Sequence, residues 1–441
     1  MDVPDGSTTD GFVGTPKIEF FSRADPNEDW QPTTRSFWGD AVDVRLSGFP
    51  ASNVVTLIAE SGAFRSSTTF RTDMTGAVDV ATTAPEPGSG YSGVDVDGPF
   101  WSMVYSGSGM PFADYPVTFS AQMDGTSVAS AKLDRYWGPN DATTVKVNSG
   151  GLVGVFVAPK GPGPFPTLIT FGGSEGGLET GQLLAEYYAS LGYACLGLAY
   201  FAAEGLPQHL AKVPLEYFST ALGWLKQRPE VDAGRIGVMG GSRGGELALL
   251  LGATYSDIKV VVANSPSGLV WPGDGTNTAQ AAWTLGGSDV AFLSSTSMRF
   301  STSTDSSGNT LYAFAPSFLD AIQDASPAAL SAATIPVDKI NGSALLVAGM
   351  DDQLWAACTL SQFAVDRLMS SGHWQAHGDD FVCYADAGHG IAQPDLPTTT
   401  ANEVFHPIDH MWLNLGGTPA GAARAARDAD TRIRMFLKQH L

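Results

Sequence analysis

The sequence predicts an α/β fold preceded by an all-β domain, and three observations support this prediction. From Pro16 to about Trp137, every regularly patterned segment is of the strand type. After that, strands alternate with helices of about 10–15 residues, which is typical of a mostly parallel sheet covered by helices. At 236–251 an apolar strand leads through a glycine-rich turn directly into a helix. Because 441 residues are too many for one ordinary core, we divide the chain into a polar tail at 1–14, a β-sandwich at 15–140 and an α/β domain at 141–441.

The first domain contains short strand-type segments bounded by turn residues. Asp124-Gly125, a dipeptide typical of a tight hairpin, separates the last two segments. Short strands at this spacing indicate a sandwich of two sheets. The predicted strands are 42–49, 54–61, 63–72, 99–106, 115–123 and 129–137.

The second domain keeps its strand–helix alternation except at 267–335. That segment is rich in Gly, Ser, Thr and Asp, with aromatic residues spread through it. A long insertion after a strand is commonly a lid or a wall of a substrate site; the alternative is a surface loop with short helices. The predicted strands are 167–171, 193–201, 236–239, 258–266, 343–350 and 380–388, and the predicted helices are 181–192, 213–227, 246–251, 361–372 and 418–441.

Charge and composition narrow the possible partners. The formal net charge of −21 disfavours binding to nucleic acid or to anionic membranes. No run of about 18 apolar residues occurs, and the first residues lack the basic and apolar regions of a signal peptide. We therefore expect a cytoplasmic protein, with secretion after removal of an earlier signal as the alternative. The scattered Cys195, Cys358 and Cys383 lack C-x-x-C spacing and are expected to be buried free thiols.

The glycine-rich turn Gly240-Gly241-Ser242-Arg243-Gly244 is the first candidate site. Strand, G-x-S-x-G and helix in this order are the sequence form of the nucleophile elbow of α/β-hydrolases. The tight turn holds the serine hydroxyl clear of the backbone at the positive end of the following helix. Glycines at 240 and 244 leave room for the strand and the helix to approach each other. We interpret Ser242 as a catalytic nucleophile; the alternative is a structural glycine turn.

A nucleophilic serine needs a base and an acid that orients the base. In α/β-hydrolases these follow in the order Ser, Asp, His, on loops after strands. His389 lies directly after strand 380–388 and fits the base better than the other six histidines, which follow a helix, precede one or lie past the last predicted strand. The acid should follow strand 343–350, where Asp351 and Asp352 are both available. We favour Asp352 because the acid usually lies about three residues after the glycine of this strand.

Acyl transfer also requires donors for the developing oxyanion. The backbone N–H of Arg243 is one candidate, and Gly173 or Ser174, in the loop after strand 167–171, should provide the other. The Arg243 side chain could contact an anionic substrate, although an ion pair with Glu246 or Glu175 is the preferred interpretation. The loop lacks the lysine of a P-loop, and no H-E-x-x-H, C-x-x-C or paired-carboxylate pattern occurs, so neither a metal nor a cofactor is expected.

Several longer stretches resemble the family of acyl-CoA thioesterases and bile acid-CoA:amino acid N-acyltransferases (BAAT). They include GYSGVDVDGPFWSM (90–103), RIGVMGGSRGGELALLLGA (235–253), IPVDKINGSALLVAGMDDQLW (335–355) and YADAGHGI (384–391). The resemblance implies an immunoglobulin-like sandwich before an α/β-hydrolase domain. It also implies that Ser242, Asp352 and His389 are nucleophile, acid and base. Members that conjugate amino acids typically carry cysteine at the nucleophile position, so serine favours hydrolysis.

The sequence therefore predicts a serine hydrolase that cleaves acyl thioesters or esters. We expect its substrate to be a small molecule and expect no binding to nucleic acid or membrane. The alternatives are a carboxylesterase or acyltransferase of specialised metabolism, a peptidase, and a binding protein with an inactive hydrolase domain. The acyl chain, the leaving group and the oligomeric state remain open.

Overall fold

Two units make up the chain in the computed structural model, which describes residues 14–106, 116–274, 279–294, 299–391, 393–399 and 401–441. The first unit runs to Tyr136 and also includes 393–400. The second unit comprises Trp137–Ala392 and Ala401–Leu441. The predicted tail at 1–14 lies outside the described residues except for Gly14.

The first unit is built from two sheets. One has the strand order β2-β1-β4-β7 and the other β3-β10-β9-β5-β6-β8. Val42, Val44 and Leu46 are all buried and alternate along β4, and the rings of Phe20 on β1 and Phe119 on β9 lie 5.3 Å apart between the sheets. Two sheets that share buried side chains agree with the predicted sandwich. Its strands are β1 Lys17–Arg23, β2 Gln31–Thr33, β3 Arg35–Phe37, β4 Ala41–Ser47, β5 Val54–Ser61, β6 Phe64–Arg71, β7 Val78–Asp79, β8 Val104–Tyr105, β9 Val117–Met123 and β10 Thr126–Tyr136.

One predicted strand of this unit is wrong and one predicted turn is confirmed. Residues 99–106 do not form a single strand, because 98–101 form a short helix, α1 (Gly98–Trp101), ahead of β8. Pro99 at the helix start favours helical geometry, and an apolar run this short does not distinguish a strand from a buried helical turn. Asp124 and Gly125 have φ of 49° and 76°, as a tight hairpin between β9 and β10 requires.

A buried ion pair holds the 393–399 segment within the first unit. The Arg135 guanidinium donates to the Asp395 carboxylate at 2.7 Å, and neither side chain is exposed. Arg135 also donates to the carbonyl of Trp38, and the backbone N–H of Thr398 donates to the carbonyl of Trp101. The segment begins only four positions after His389 in sequence.

The second unit is organised around an eight-stranded sheet. Its order is β11-β12-β14-β13-β16-β17-β22-β23, with antiparallel pairing of β11, β12 and β14 and parallel pairing from β14 to β23. The predicted mostly parallel sheet is therefore confirmed, and its carboxyl-end loops lie along one edge. The strands are β11 Thr143–Val147, β12 Val153–Ala158, β13 Phe165–Phe171, β14 Ala194–Ala199, β16 Val231–Gly241, β17 Ile258–Asn264, β22 Ser343–Gly349 and β23 Asp380–Tyr384.

Helices and two small sheets complete this unit. The long helices follow strands as the sequence predicts, whereas α8 was not predicted. The 267–335 insertion contributes short strands and helices, partly outside the described residues. The helices are α2 Glu179–Ser190, α3 Glu216–Leu225, α4 Arg243–Thr254, α5 Ala315–Asp324, α6 Pro327–Ala333, α7 Ala357–Ser370, α8 His373–His377 and α9 Pro419–His440, with a 3-10 turn at Val337–Lys339. The small sheets are β15-β18-β19 (Val213–Pro214, Trp283–Leu285, Ser288–Asp289) and β20-β21-β25-β24 (Ser301–Thr304, Thr310–Ala313, Met411–Asn414, Glu403–His406).

The cysteines depart from the sequence prediction. Cys358 on α7 and Cys383 on β23 form a disulfide, with Cα atoms 5.8 Å apart, whereas Cys195 is a buried free thiol. The expectation of three free thiols is wrong for this pair because the fold, not the spacing, brings the start of α7 beside β23. None of the helices in the described ranges is both long and apolar enough to cross a membrane.

Candidate active site

Ser242 lies between β16 and α4 in a strained turn. Its φ of 57° and ψ of −124° are unusual for a residue with a side chain. The Ser242 N–H donates to the carbonyl of Asn264 at the end of β17, and the Ser242 carbonyl accepts the N–H of Glu246. The side chain is thus placed at the N-terminus of a 12-residue helix, where the helix dipole is positive. This is the geometry of a nucleophile elbow.

Glycine is required on both sides of this turn. A Cβ on Gly240 would lie 2.6 Å from the carbonyl oxygen of Gly244, and a Cβ on Gly244 would lie 2.3 Å from that of Gly172. Such distances are far inside van der Waals contact, so a side chain at Gly240 would force the strand and the helix apart, and one at Gly244 would displace the loop after β13. The close approach that the sequence suggested is present.

Asp352 and His389 are in direct contact. The Asp352 Oδ2 atom lies 2.8 Å from the His389 Nδ1 atom, and the two side chains are 0% and 9% exposed. The same carboxylate accepts backbone N–H groups of Leu354 and Trp355 on Oδ1 and of Ala357 on Oδ2. These three donors fix the carboxylate, so the imidazole bonded to it has a defined orientation.

Asp351, the alternative acid, lies elsewhere. Its Oδ1 accepts the Gln353 side-chain amide, and its Oδ2 accepts the N–H of Gly417. The residue is exposed. Asp352 rather than Asp351 therefore contacts His389.

Ser265 connects the candidate nucleophile to the candidate base, a contact that the sequence analysis missed. Its hydroxyl donates to the His389 carbonyl at 2.7 Å, and the preceding Asn264 carbonyl accepts the Ser242 N–H at 2.8 Å. The His389 N–H donates to the carbonyl of Leu415. Ser242 and His389 thus flank the end of β17. Within the described part of the chain the Ser242 hydroxyl makes no hydrogen bond.

The loop after β13 passes directly over Ser242. A Cβ on Gly173 would lie 3.1 Å from the Ser242 Cβ. Buried Tyr200 donates its hydroxyl to the carbonyls of Gly172 and Gly173, at 2.9 and 3.1 Å. The Gly173 N–H donates to the Glu175 carboxylate, whereas the Ser174 N–H has no acceptor among the described residues. Of the two predicted donors in this loop, the Ser174 N–H is therefore the one without an acceptor in the described ranges.

Arg243 contributes a backbone donor and a buried side chain. As the first residue of α4, its N–H has no acceptor within the helix. Its guanidinium lies 3.4 Å from the Glu246 carboxylate and donates to the Trp271 carbonyl. The structure therefore shows the ion pair with Glu246 rather than with Glu175.

Glu246 is fully buried behind this arginine. Its Oε1 accepts the indole N–H of Trp283 at 2.7 Å and the backbone N–H of Trp271 at 3.4 Å. Burial raises the pKa of Glu246 to about 7, against the lowering effect of the Arg243 charge and the Trp283 hydrogen bond.

Three other histidines also pair with aspartates, and the first of them, exposed His209, lies 3.6 Å from Asp274. His373 lies 2.6 Å from Asp379, but its second ring nitrogen is 2.8 Å from the Ile340 carbonyl, so this buried pair is structural. His406 lies 3.0 Å from Asp409 and 3.1 Å from the Ser174 hydroxyl. The sequence analysis placed His406 past the last strand, and no local pattern indicated its contact with a loop 232 positions earlier.

Comparison with known proteins gives consistent matches. The C-terminal profile of BAAT and acyl-CoA thioester hydrolases matches residues 213–441, and the corresponding N-terminal profile matches 39–149. Acyl-coenzyme A thioesterase 1 of Mus musculus is 30% identical, covering 93% of this chain and 96% of its own. The peroxisomal succinyl-coenzyme A thioesterase of the same organism is 28% identical with the same coverage. Among solved structures, an esterase of Pyrobaculum calidifontis matches with a TM-score of 0.40 and 15% identity, over 68% of this chain and 87% of its own.

Proposed function

The chain belongs to the acyl-CoA thioester hydrolase/BAAT family, and we propose that it cleaves acyl thioesters through an acyl-enzyme intermediate on Ser242. The contact between Asp352 Oδ2 and His389 Nδ1 carries this proposal. With Nδ1 directed at the carboxylate, the other ring nitrogen, Nε2, is available to a serine. Ser242 follows β16, the neighbour of β17 in the sheet, and so lies at the same carboxyl edge.

The first half-reaction forms the acyl-enzyme. His389 Nε2 takes the Ser242 proton while the serine oxygen attacks the acyl carbonyl carbon, and Asp352 stabilises the resulting imidazolium. The carbonyl oxygen becomes an oxyanion that accepts the N–H groups of Arg243 and Ser174. The carbon–sulfur bond then breaks, and the departing thiolate takes the proton from His389.

The second half-reaction releases the acid. Water gives a proton to His389 Nε2 and attacks the acyl carbon through the same oxyanion site. The Ser242 oxygen leaves with the proton, so the enzyme returns to its starting state and one thiol and one carboxylic acid have formed. The relatives are named as thioesterases, which supports a thioester rather than an amide as the substrate.

The experiment measures thiol release from acyl-CoAs of graded chain length beside p-nitrophenol release from matched esters. We expect thiol release to dominate and Ser242→Ala to abolish it, with the fold unchanged by circular dichroism. A fluorophosphonate should label one serine, identified by peptide mass spectrometry as Ser242.

Other outcomes separate the alternatives. Ester cleavage without thiol release would retain the serine site but indicate a carboxylesterase, and acyl transfer to an added amine would indicate an acyltransferase. Cleavage of an aminoacyl amide would indicate a peptidase. Retention of most activity by Ser242→Ala would contradict the mechanism itself.

A further inference from the structure

We propose that His406 is a positioning residue for the oxyanion site, acting through the side chain of Ser174. This inference rests on the proposed function, because it concerns how one of the two oxyanion donors is held. It assigns a role to a histidine–aspartate pair separate from His389 and Asp352.

The contacts form a chain from the small sheet to the loop over Ser242. The Ser174 hydroxyl lies 3.1 Å from His406 Nε2, and His406 Nδ1 lies 3.0 Å from the Asp409 carboxylate. His406 is the last residue of β24, whereas Ser174 follows β13 of the large sheet. The His406 side chain is only 6% exposed and the Asp409 side chain 29%. A nearly buried imidazole therefore connects the small sheet to the loop after β13.

Asp409 holds His406 through its Nδ1 atom. The Asp409 backbone N–H donates to Nδ1 at 3.2 Å, and the Asp409 carboxylate lies 3.0 Å from the same nitrogen. The hydrogen bond with His406 lowers the pKa of Asp409, so the carboxylate stays ionised beside the ring. With Nδ1 held by Asp409, the Nε2 atom is left to pair with the Ser174 hydroxyl, as acceptor or as donor according to the tautomer. This contact keeps the Ser174 side chain at His406.

The rest of the loop is fixed at other atoms. Tyr200 holds the carbonyls of Gly172 and Gly173, and Glu175 holds the Gly173 N–H. The Ser174 hydroxyl is the contact that anchors Ser174 itself, whose N–H stays open. Since a peptide N–H can rotate about the adjacent bonds, loss of this contact should misdirect the donor while leaving its neighbours in place.

Misplacing an oxyanion donor should affect the chemical step more than substrate binding. Removal of such a donor costs about 100- to 1,000-fold in kcat, and misplacement costs less. We therefore expect Ser174→Ala and His406→Leu to lower kcat by about 10- to 100-fold, with KM changed by no more than about twofold. Ser174→Thr keeps the hydroxyl and His406→Gln keeps a polar group near Nε2, so both should recover much of the loss.

The test compares these four variants with His410→Asn, an exposed histidine on the same turn whose left-handed φ of 51° asparagine tolerates. For each, kcat and KM are measured with an acyl-CoA, together with inhibition by a trifluoromethyl ketone that mimics the tetrahedral intermediate. The expected result is weaker ketone inhibition in proportion to the loss in kcat. The double variant Ser174→Ala/His406→Leu should be no worse than either single one, because both act on one contact.

Three results would overturn the inference while leaving the proposed function intact. These are unchanged kcat in Ser174→Ala, additive losses in the double variant, or losses that follow a drop in melting temperature instead of ketone affinity. Fluorophosphonate labelling of Ser174 would make Ser174 a nucleophile and would also overturn it. Failure of the proposed function is distinguishable, because the wild-type protein would then release no thiol and Ser242 would not be labelled.

Discussion

Replacing Asp352 by Asn tests the acid–base contact without changing the size of the side chain. In the structure Oδ1 accepts two N–H groups, from Leu354 and Trp355, and Oδ2 faces the Ala357 N–H and His389 Nδ1. An asparagine that keeps its oxygen toward the first two must turn its NH2 group toward His389. That NH2 group donates to Nδ1, so the imidazole proton moves to Nε2. The Nε2 atom can then no longer accept a proton from Ser242.

The magnitude follows from this change of tautomer. Serine proteases supply the precedent. There the equivalent substitution lowers kcat about 10⁴-fold, which corresponds to about 5 kcal/mol of transition-state stabilisation. Stability should fall much less. Only the Ala357 N–H loses its acceptor, and one unsatisfied buried donor costs about 1–3 kcal/mol.

Asp351→Asn is the matched control, since it makes the same chemical change at the adjacent residue. Asp351 bonds Gln353 and Gly417 and not His389, so kcat should stay within about twofold of wild type. The assay is thiol release from an acyl-CoA under saturation, with urea unfolding to report stability. The reasoning is refuted if Asp352→Asn keeps more than about a tenth of the activity, or if both substitutions lower kcat equally.

Three further predictions concern the elements around the site. The pKa of Glu246 rises from an ordinary 4.5 to about 7 through burial, so the folded chain binds this proton more tightly than the unfolded chain. The free energy of unfolding should therefore fall as the pH rises from 4.5 to 7, by up to about 3 kcal/mol. Glu246→Gln should flatten this slope in urea titrations at several pH values, and an identical slope would contradict the assignment. Gly244→Ala would place a Cβ 2.3 Å from the Gly172 carbonyl oxygen, so we expect loss of most activity and a lower melting temperature; a fully active variant would argue against the close approach. The Cys358–Cys383 disulfide closes a loop across a separation of 25 residues, so replacing both by Ser should cost about 3 kcal/mol in unfolding free energy. Thiol titration in denaturant should find one free thiol before reduction and three afterwards.

The repeating patterns of the sequence account for most of the fold. Strand-only patterning gave the sandwich, and strand–helix alternation gave the mostly parallel sheet, because both follow from the burial of side chains at fixed periods. The nucleophile elbow was recognisable because the glycines that the turn requires lie close to Ser242 in the sequence. His389 was predicted as the base from its position after a predicted strand. Asp352 was separated from Asp351 only by a spacing rule, which agrees with the contact that the structure shows.

What could not be predicted depends on contacts between distant parts of the chain. The pairing of Cys358 with Cys383 requires the start of α7 to lie beside β23, which no spacing reveals. The hydroxyl of Ser265 reaches His389 across 124 positions, and His406 reaches Ser174 across 232. Each of these residues is ordinary in its local sequence. Only the order of strands in the sheets brings them to the site.

Glu246 shows how the candidate site is joined to the insertion at 267–335. It lies one turn into the helix that begins after Ser242, and its buried carboxylate accepts the Trp283 indole N–H from that insertion and the Trp271 backbone N–H. A buried carboxylate at this position costs stability through desolvation, as its raised pKa indicates. Packed hydrophobic residues would fill the same space at less cost, but they would not fix two tryptophans of the insertion relative to the nucleophile helix. We therefore interpret Glu246 as the residue that fixes the position of the first part of the insertion relative to Ser242. A substrate wall built from 267–335 would then keep a constant position relative to the nucleophile.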